Sequence, residues 1–129
     1  MVVLNTIQKV NPQDLAAENK YYAQVVSTGK TDLQRLAYLV SNQSTVRAGD
    51  CYAVILTLLH NIVDELKQGK IVKLDHLGSF QLSIQSEGVN TPGEVNQSLV
   101  KDVRINFRPD KELKSLLNTK TLSFTFANK

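Results

Sequence analysis

The side chains that most often carry chemistry are few in this sequence and stand apart from one another. Neither His60 nor His76 has a second histidine or a cysteine at the spacing of metal ligands. Cys51 has no partner nearby, so a small core residue is a better interpretation than a nucleophile. Asp75, His76 and Ser79 are the residue types of a catalytic triad, but residues of one turn seldom reach that geometry. The sequence therefore predicts no enzymatic activity, no metal and no cofactor.

A different chemistry is suggested by the distribution of charge along the chain. The formal net charge of the 129 residues is only +3, which by itself does not identify an anionic partner. Residues 101–129 hold seven basic and three acidic residues, a net charge of +4, whereas residues 71–100 hold one lysine and three acidic residues, a net charge of −2. Basic character in the last quarter of the chain is a weak indication of an electrostatic binding surface.

The composition indicates a folded intracellular protein of ordinary size. The hydrophobic fraction of 42% fits a single domain. The apolar run at residues 53–59 is too short to cross a bilayer, and the first residues do not have the pattern of a secretory signal. One cysteine is also unlike a small secreted domain. We expect a cytoplasmic location and no membrane partner.

The periodicity of apolar residues predicts an α+β fold with two helices near its centre. Residues 2–10 and 21–27 have strand character, and residues 27–41 change to helical spacing. A longer helix follows within residues 45–70 and ends at Gly69. Apolar residues surround most of this helix, which predicts burial on most sides. Because so small a domain can hardly cover it alone, the pattern suggests that a second copy of the chain does so.

Two later segments alternate strictly and predict an antiparallel strand pair. Residues 80–85 alternate apolar residues with Gln81 and other polar ones, and residues 103–108 alternate in the same way with Arg104 and Arg108. One face is expected to pack on helices, while the other faces solvent or a ligand. The segment between them, about residues 86–101, has little apolar content but keeps some β character, which predicts a projecting β-ribbon arm.

The end of the chain predicts one more helix and one more strand. Asp110 is a candidate N-cap, and the leucines of residues 113–117 have helical spacing. The alternation of Leu122, Phe124 and Phe126 predicts a terminal strand that pairs with the strands at the N-terminus.

Together, these elements resemble the bacterial HU and integration host factor family of histone-like DNA-binding proteins. "GKIVKLDHLGSF" (69–80) resembles the family's glycine, short strand and Gly-Ser-Phe segment, and "FRPDKELKSLL" (107–117) resembles its Phe-basic-Pro-x-Lys-x-Leu-Lys end. The separation of 27 positions between Phe80 and Phe107 is close to what the family's arm occupies. The additional "KYYAQVVSTG" and the terminal strand are similar to extended HU-like proteins of the Bacteroides group.

The resemblance implies an intertwined dimer with a helical base, a β-sheet saddle and two arms around double-stranded DNA. A proline at each arm tip would enter the minor groove and bend the duplex, with low sequence specificity. The dimer would be a homodimer or would pair with a paralogue, and no small-molecule substrate is expected. The predicted division is an N-terminal β extension at 1–30, an HU-like domain at 31–118 and a C-terminal strand at 119–129.

The expected DNA-binding residues lie mostly on the polar sheet face and just beyond it. Arg108 and Lys111 match basic positions of the family, whereas Arg104 is placed by strand geometry alone. The complete predicted set is Ser79, Gln81, Pro92, Lys101, Arg104, Arg108, Lys111 and Lys114.

Two alternatives remain open at the level of sequence. Pro92 is either the intercalating wedge or the second residue of a plain type II turn with Gly93. The family's arm carries many arginines, whereas this arm carries Glu87 and Glu94 and its nearest basic residue is Lys101. The rival function is therefore an HU-fold interaction module with little affinity for DNA.

Overall fold

The computed structural model describes residues 1–10, 12–14 and 16–127, which form an α+β chain of two compact units. The terminal unit combines Met1–Asp32 with Leu116–Lys129, and the central unit is Leu33–Ser115. No helix among the described residues is long and apolar enough to span a membrane. The elements in chain order are β1 (Val2–Lys9), β2 (Lys20–Val26), α1 (Leu33–Asn42), α2 (Ala48–Lys67), β3 (Val72–Leu74), β4 (Gly78–Ser86), β5 (Val100–Pro109), α3 (Lys111–Lys114) and β6 (Phe124–Phe126).

The terminal unit is a three-stranded sheet in the order β2-β1-β6. β1 and β2 pair antiparallel from Val3↔Val26 to Lys9↔Lys20. β6 pairs parallel with the first half of β1, where Leu4 faces Phe126. The prediction that the last strand pairs with the N-terminal strands is therefore confirmed.

The two helices of the central unit pack against each other through small residues. Ala37 of α1 and Cys51 of α2 are buried, as expected for a cysteine that fills a core position. α2 ends where Gly69 adopts a φ of 79°, and its N–H donates to the Leu66 carbonyl. Glycine takes this left-handed conformation without the steric cost that a side chain would add.

The central sheet has the order β3-β4-β5, and the predicted antiparallel pair is confirmed as β4 and β5. Phe80 faces Phe107 across the pair, with ring centroids 4.9 Å apart. A register shift occurs at the far end of the ladder: Gln85 faces Asp102 but Ser86 faces Val100, which leaves Lys101 as the extra residue of a bulge.

Much of the apolar surface that was expected to be buried is exposed in a single chain. On the apolar sheet face, Ile105 is 64% exposed and Val103 is 57% exposed, and on α2, Val54 is 66% exposed. Among the described residues, the only buried hydrophobic side chains are those of Ala37, Cys51 and Leu66. Within the single chain, only Phe80 and Leu82 of this face in β4 are half-buried, because the chain has too few elements to cover the rest.

The segment that joins β4 and β5 differs from the predicted arm. Residues 87–99 contain no strand; they form a loop with two 3-10 turns, Pro92–Glu94 and Gln97–Leu99. Local side-chain hydrogen bonds favour these turns: the Thr91 hydroxyl donates to Glu94 Oε1 at 2.8 Å, and Asn96 Oδ1 accepts from the Ser98 N–H at 2.9 Å. The β character assigned to these residues is therefore wrong, and the paired ribbon stops at Ser86 and Val100.

Two smaller predictions also need correction. Gly93 lies inside a 3-10 turn and lacks the positive φ that a type II turn requires at that position. The helix capped by Asp110 has a single turn and ends at Lys114, because Leu116 and Leu117 remain 52% and 79% exposed and give it no apolar face to bury.

Candidate nucleic-acid interface

The candidate interface is the polar face of the central sheet, which the strand register defines residue by residue. Side chains of directly paired residues lie on the same face, and successive residues alternate between faces. Four cross-strand pairs therefore form one polar face, here called the sheet face: Ser79↔Arg108, Gln81↔Asn106, Ser83↔Arg104 and Gln85↔Asp102.

Arg108 occupies the base of the sheet face and is available to a ligand. Within the described part of the chain its side chain forms no hydrogen bond or ion pair, and the residue is exposed. Lys73 of β3 pairs with Ser79 on the other side of β4, so Lys73 and Arg108 flank Ser79 across three strands. Lys73 is only loosely paired, with its Nζ 3.8 Å from Asp75 Oδ1. This row places two cations beside a hydroxyl donor, an arrangement suited to phosphate oxygens.

Lys73 was missed by the sequence prediction. It stands between Val72 and Leu74 in a strand of three residues. The sequence feature that could have identified it is the alternation in this short strand, which places the lysine on the face opposite to that of its two apolar neighbours.

Arg104, in contrast, is held by neighbours on the same face. Its Nε donates to Asp102 Oδ2 at 3.0 Å, and its Nη2 donates to Gln85 Oε1 at 3.3 Å. Asp102 lies two residues earlier in β5, so strand alternation necessarily puts both charges on one side. Arg104 is thus paired with a carboxylate before any ligand arrives, and it must leave that partner to reach a phosphate.

Beside Arg108 the sheet is concave, and the sheet face carries amides there. A cavity of about 480 Å³ is lined by Ile71, Ser79, Gln81, Asn106, Phe107 and Arg108. Asn106 donates from Nδ2 to the Ser83 hydroxyl at 3.0 Å, which fixes its orientation. Amide and hydroxyl groups both donate and accept hydrogen bonds, so this surface suits a polar, hydrated ligand.

The short helix α3 is fixed to the sheet by Asp110. Its carboxylate accepts hydrogen bonds from the Lys111 N–H at 2.8 Å and from the His76 N–H at 3.2 Å, and the Asp110 N–H donates to the Leu77 carbonyl. His76 has a φ of 75°, and its Nδ1 contacts Glu112 Oε1 at 2.5 Å. The β3–β4 turn and α3 therefore hold each other in place beside the end of β5.

This arrangement fixes where α3 presents its two lysines. Lys111 and Lys114 are exposed and form no ion pair within the described residues. They follow directly after Arg108 and Pro109, so the basic surface continues past the edge of the sheet.

The two backbone hydrogen bonds, first that from Lys111 and then that from His76, lower the pKa of Asp110 below its ordinary value. A carboxyl whose pKa is lower in the folded chain than in the unfolded chain stabilises the fold at any pH above its pKa in the unfolded chain. This stabilisation is lost as the pH falls through the pKa that the carboxyl has in the folded chain. We therefore expect Asp110→Asn to lower the thermal unfolding midpoint at pH 7, and the difference from wild type to shrink below about pH 4. Thermal unfolding of both proteins across this pH range measures the effect; a difference that stays constant with pH would contradict it.

The two remaining predicted residues lie away from the sheet face. Lys101, the bulged residue, pairs with Glu87 with 3.5 Å between Nζ and Oε1. Pro92 is exposed in the loop between the strands. Among the described residues, no cluster of three or more histidine, cysteine, aspartate or glutamate side chains has the geometry of a metal site.

A ribbon of two long antiparallel strands, a short third strand and two packed helices define the central unit as an HU-like fold. A family model agrees: the HU-HIG family, described as an HU domain fused to wHTH, Ig, or a glycine-rich motif, matches residues 2–124. The chain belongs to the HU-HIG family. No curated protein matches it.

Solved structures show the same fold at low sequence identity. A Bacteroides vulgatus protein assigned as a bacterial DNA-binding protein matches with a TM-score of 0.61 and 16% identity, over 97% of this chain and 48% of that one. This chain therefore spans about half the length of that relative. Anabaena HU, from a cocrystal with DNA, matches with a TM-score of 0.54 and 17% identity, over 69% of this chain and 99% of that one.

Proposed function

We propose that this protein is a non-enzymatic architectural DNA-binding protein that binds duplex DNA on the sheet face, bends it and helps to organise the nucleoid in the bacterial cytoplasm. The observation that carries the proposal is the row of Lys73, Ser79 and Arg108 across three strands, with an unpaired arginine at its end. Cations of this kind neutralise DNA phosphates and release counterions. The Anabaena HU with which the fold is shared was crystallised with DNA.

The expected sequence specificity is low. Arginine and lysine contacts with phosphates fix the position of a protein on DNA but carry no sequence information. Pro92 at the tip of the loop supplies the apolar wedge for bending in this proposal, as in other minor-groove architectural proteins. The loop provides little electrostatic attraction, since its one nearby cation, Lys101, is paired with Glu87. Affinity is therefore assigned to the sheet face and to Lys111 and Lys114.

A homodimer is part of the proposal. The central unit leaves apolar side chains exposed on α2 and on the sheet, including Val54, Leu58, Val63, Val103 and Ile105. Burying such side chains stabilises a fold by about 1.5 to 3 kcal/mol each, so a chain that leaves them in water gains much from a partner. A second copy with the same surfaces meets this need.

The test is a titration of fluorescent duplex DNA at several salt concentrations, with linear, nicked and A·T-rich duplexes side by side. Binding that weakens steeply with salt and is tighter on the nicked duplex is expected for phosphate neutralisation combined with bending. Absence of binding at low salt would defeat the proposal and favour the second candidate, an HU-fold module that binds proteins. That candidate is supported by the carboxylates of the arm region, Glu87, Glu94 and Asp102, and by the pairing of Arg104.

The Arg104 pair provides a further prediction. Asp102→Asn removes the negative charge that holds Arg104 and leaves a side chain of the same shape. We expect tighter DNA binding, roughly eightfold at 0.1 M salt, and a steeper salt dependence by about one phosphate contact. The same titration measures it, with Asp75→Asn, which changes the net charge equally at the Lys73 end, as a comparison. Weaker or unchanged binding would contradict the placement of Arg104 in the interface.

A further inference from the structure

The terminal unit contains a pair of like charges that its own fold leaves uncompensated. Lys9 of β1 and Lys20 of β2 are directly opposite each other in the antiparallel ladder. Like charges in this position destabilise a strand pair. Within the described part of the chain, neither lysine forms an ion pair with a carboxylate. An anion bound between them would remove the repulsion.

An aromatic ring lies beside the two lysines on the same face. Tyr22 is two residues from Lys20, and Lys9 Nζ is 5.3 Å from the centroid of its ring. A cation over an aromatic face is attracted by the ring quadrupole, so the contact holds the Lys9 ammonium over Tyr22, on the strand that also carries Lys20. Tyr22 is 46% exposed, which leaves its hydroxyl accessible as a hydrogen-bond donor.

The three side chains enclose a concave space. A cavity of about 410 Å³ is lined by Lys9, Val10, Ala17, Glu18, Lys20 and Tyr22. Glu18 is the only acidic side chain of that lining, and it forms no ion pair with either lysine among the described residues. The site thus has two cations and one hydroxyl donor around a space open to a small anion.

We propose that Lys9, Lys20 and Tyr22 form a second phosphate-binding site, which takes a phosphodiester group of the nucleic-acid backbone. Two ammonium groups and a phenolic hydroxyl donate to phosphate oxygens, and the negative charge separates the two lysines. The site belongs to the terminal unit and differs from the sheet face of the central unit. Only the choice of DNA as the source of the phosphate rests on the proposed function.

The test compares the full-length protein with Lys9→Gln/Lys20→Gln. The control is Lys30→Gln/Lys120→Gln, which removes the same charge from the same unit. In a duplex titration over several salt concentrations, the Lys9/Lys20 variant should lose close to two units of slope in log K against log salt, and the control should lose clearly less. Without ligand at low salt, the variant should unfold at a slightly higher temperature than wild type, because the repulsion is gone.

A second arm identifies the source of the phosphate. Tripolyphosphate should raise the unfolding temperature of wild type and of the control, and it should have a smaller effect on the Lys9/Lys20 variant. If only this arm separates the variant from the control, the site is supported and its ligand is a free phosphate compound. If neither arm separates them, the site is overturned. Failure of wild type to bind any duplex would defeat the proposed function alone, and the tripolyphosphate arm would still decide on the site.

Discussion

Replacing Arg104 and Arg108 together by alanine should weaken DNA binding by roughly eightfold at 0.1 M salt for each protomer, since the lost Arg108 phosphate contact removes about 0.9 from the slope of log K against log salt, whereas Arg104 is held by Asp102. The salt dependence should become shallower by about one contact for each protomer, and binding to all sequences should weaken alike. Duplex titration at several salt concentrations measures both quantities. Unchanged binding would remove the sheet face from the interface.

The single variants should differ from each other. Arg108 has no partner among the described residues, whereas Arg104 must leave Asp102 and Gln85 to reach a phosphate. Arg108→Ala should therefore account for most of the loss. Arg47→Ala/Lys67→Ala, which removes two charges from the region of α2, is the matched control. An equal loss in that control would mean that net charge, and not the sheet face, determines affinity.

The largest effect on stability is expected for Gly78→Ala. Gly78 is buried where β4 begins, between Leu74 of β3 and Pro109 of β5. A Cβ at this position would overlap the Arg108 carbonyl oxygen and lie 2.5 Å from Cε2 of Phe107. Because a backbone atom cannot move aside as a flexible side chain can, the strands must separate. We expect a loss of about 1 to 3 kcal/mol in the free energy of unfolding.

Denaturant unfolding of the purified variant measures this loss. The matched control is Gly88→Ala in the loop between β4 and β5, where an added Cβ meets nothing within 4 Å. That variant should have the same free energy of unfolding as wild type. If Gly78→Ala also unfolds like wild type, the sheet can accommodate a Cβ at this position, and the close approach of β4 to Arg108 and Phe107 does not determine stability. Because Arg108 lies at this contact, Gly78→Ala should weaken DNA binding as well.

The sequence predicted the central sheet well because side-chain alternation in a strand has a period of two residues. Phe80 and Phe107 therefore had to share one face, and Arg104 and Arg108 the other. The loop after Ser86 was predicted poorly for a related reason. Its conformation comes from hydrogen bonds of Thr91 and Asn96 with near neighbours, and these leave no periodic pattern of apolar residues.

The sequence predicted that Arg104 and Arg108 share one sheet face with Ser79 and Gln81, but it did not predict the charge balance of that face. Asp102 stands two residues before Arg104, so the sequence already implied that a carboxylate shares the face of the arginine. The partner of Lys101 could not be foreseen in the same way, because Glu87 approaches it only through the bulge at the end of the ladder. The exposed apolar side chains of α2 agree with the pattern that suggested a second copy.

The bulge at Lys101 separates two parts of the ribbon that can change independently. On one side the pairing is continuous from Gly78↔Pro109 to Gln85↔Asp102, and on the other the chain folds locally into its two turns. An insertion or deletion within residues 87–99 leaves the register below the bulge, and hence the order of Arg104 and Arg108, as it is. The loop is therefore a natural position for grafting: a different tip can be exchanged onto the same ribbon without rebuilding the surface beneath it.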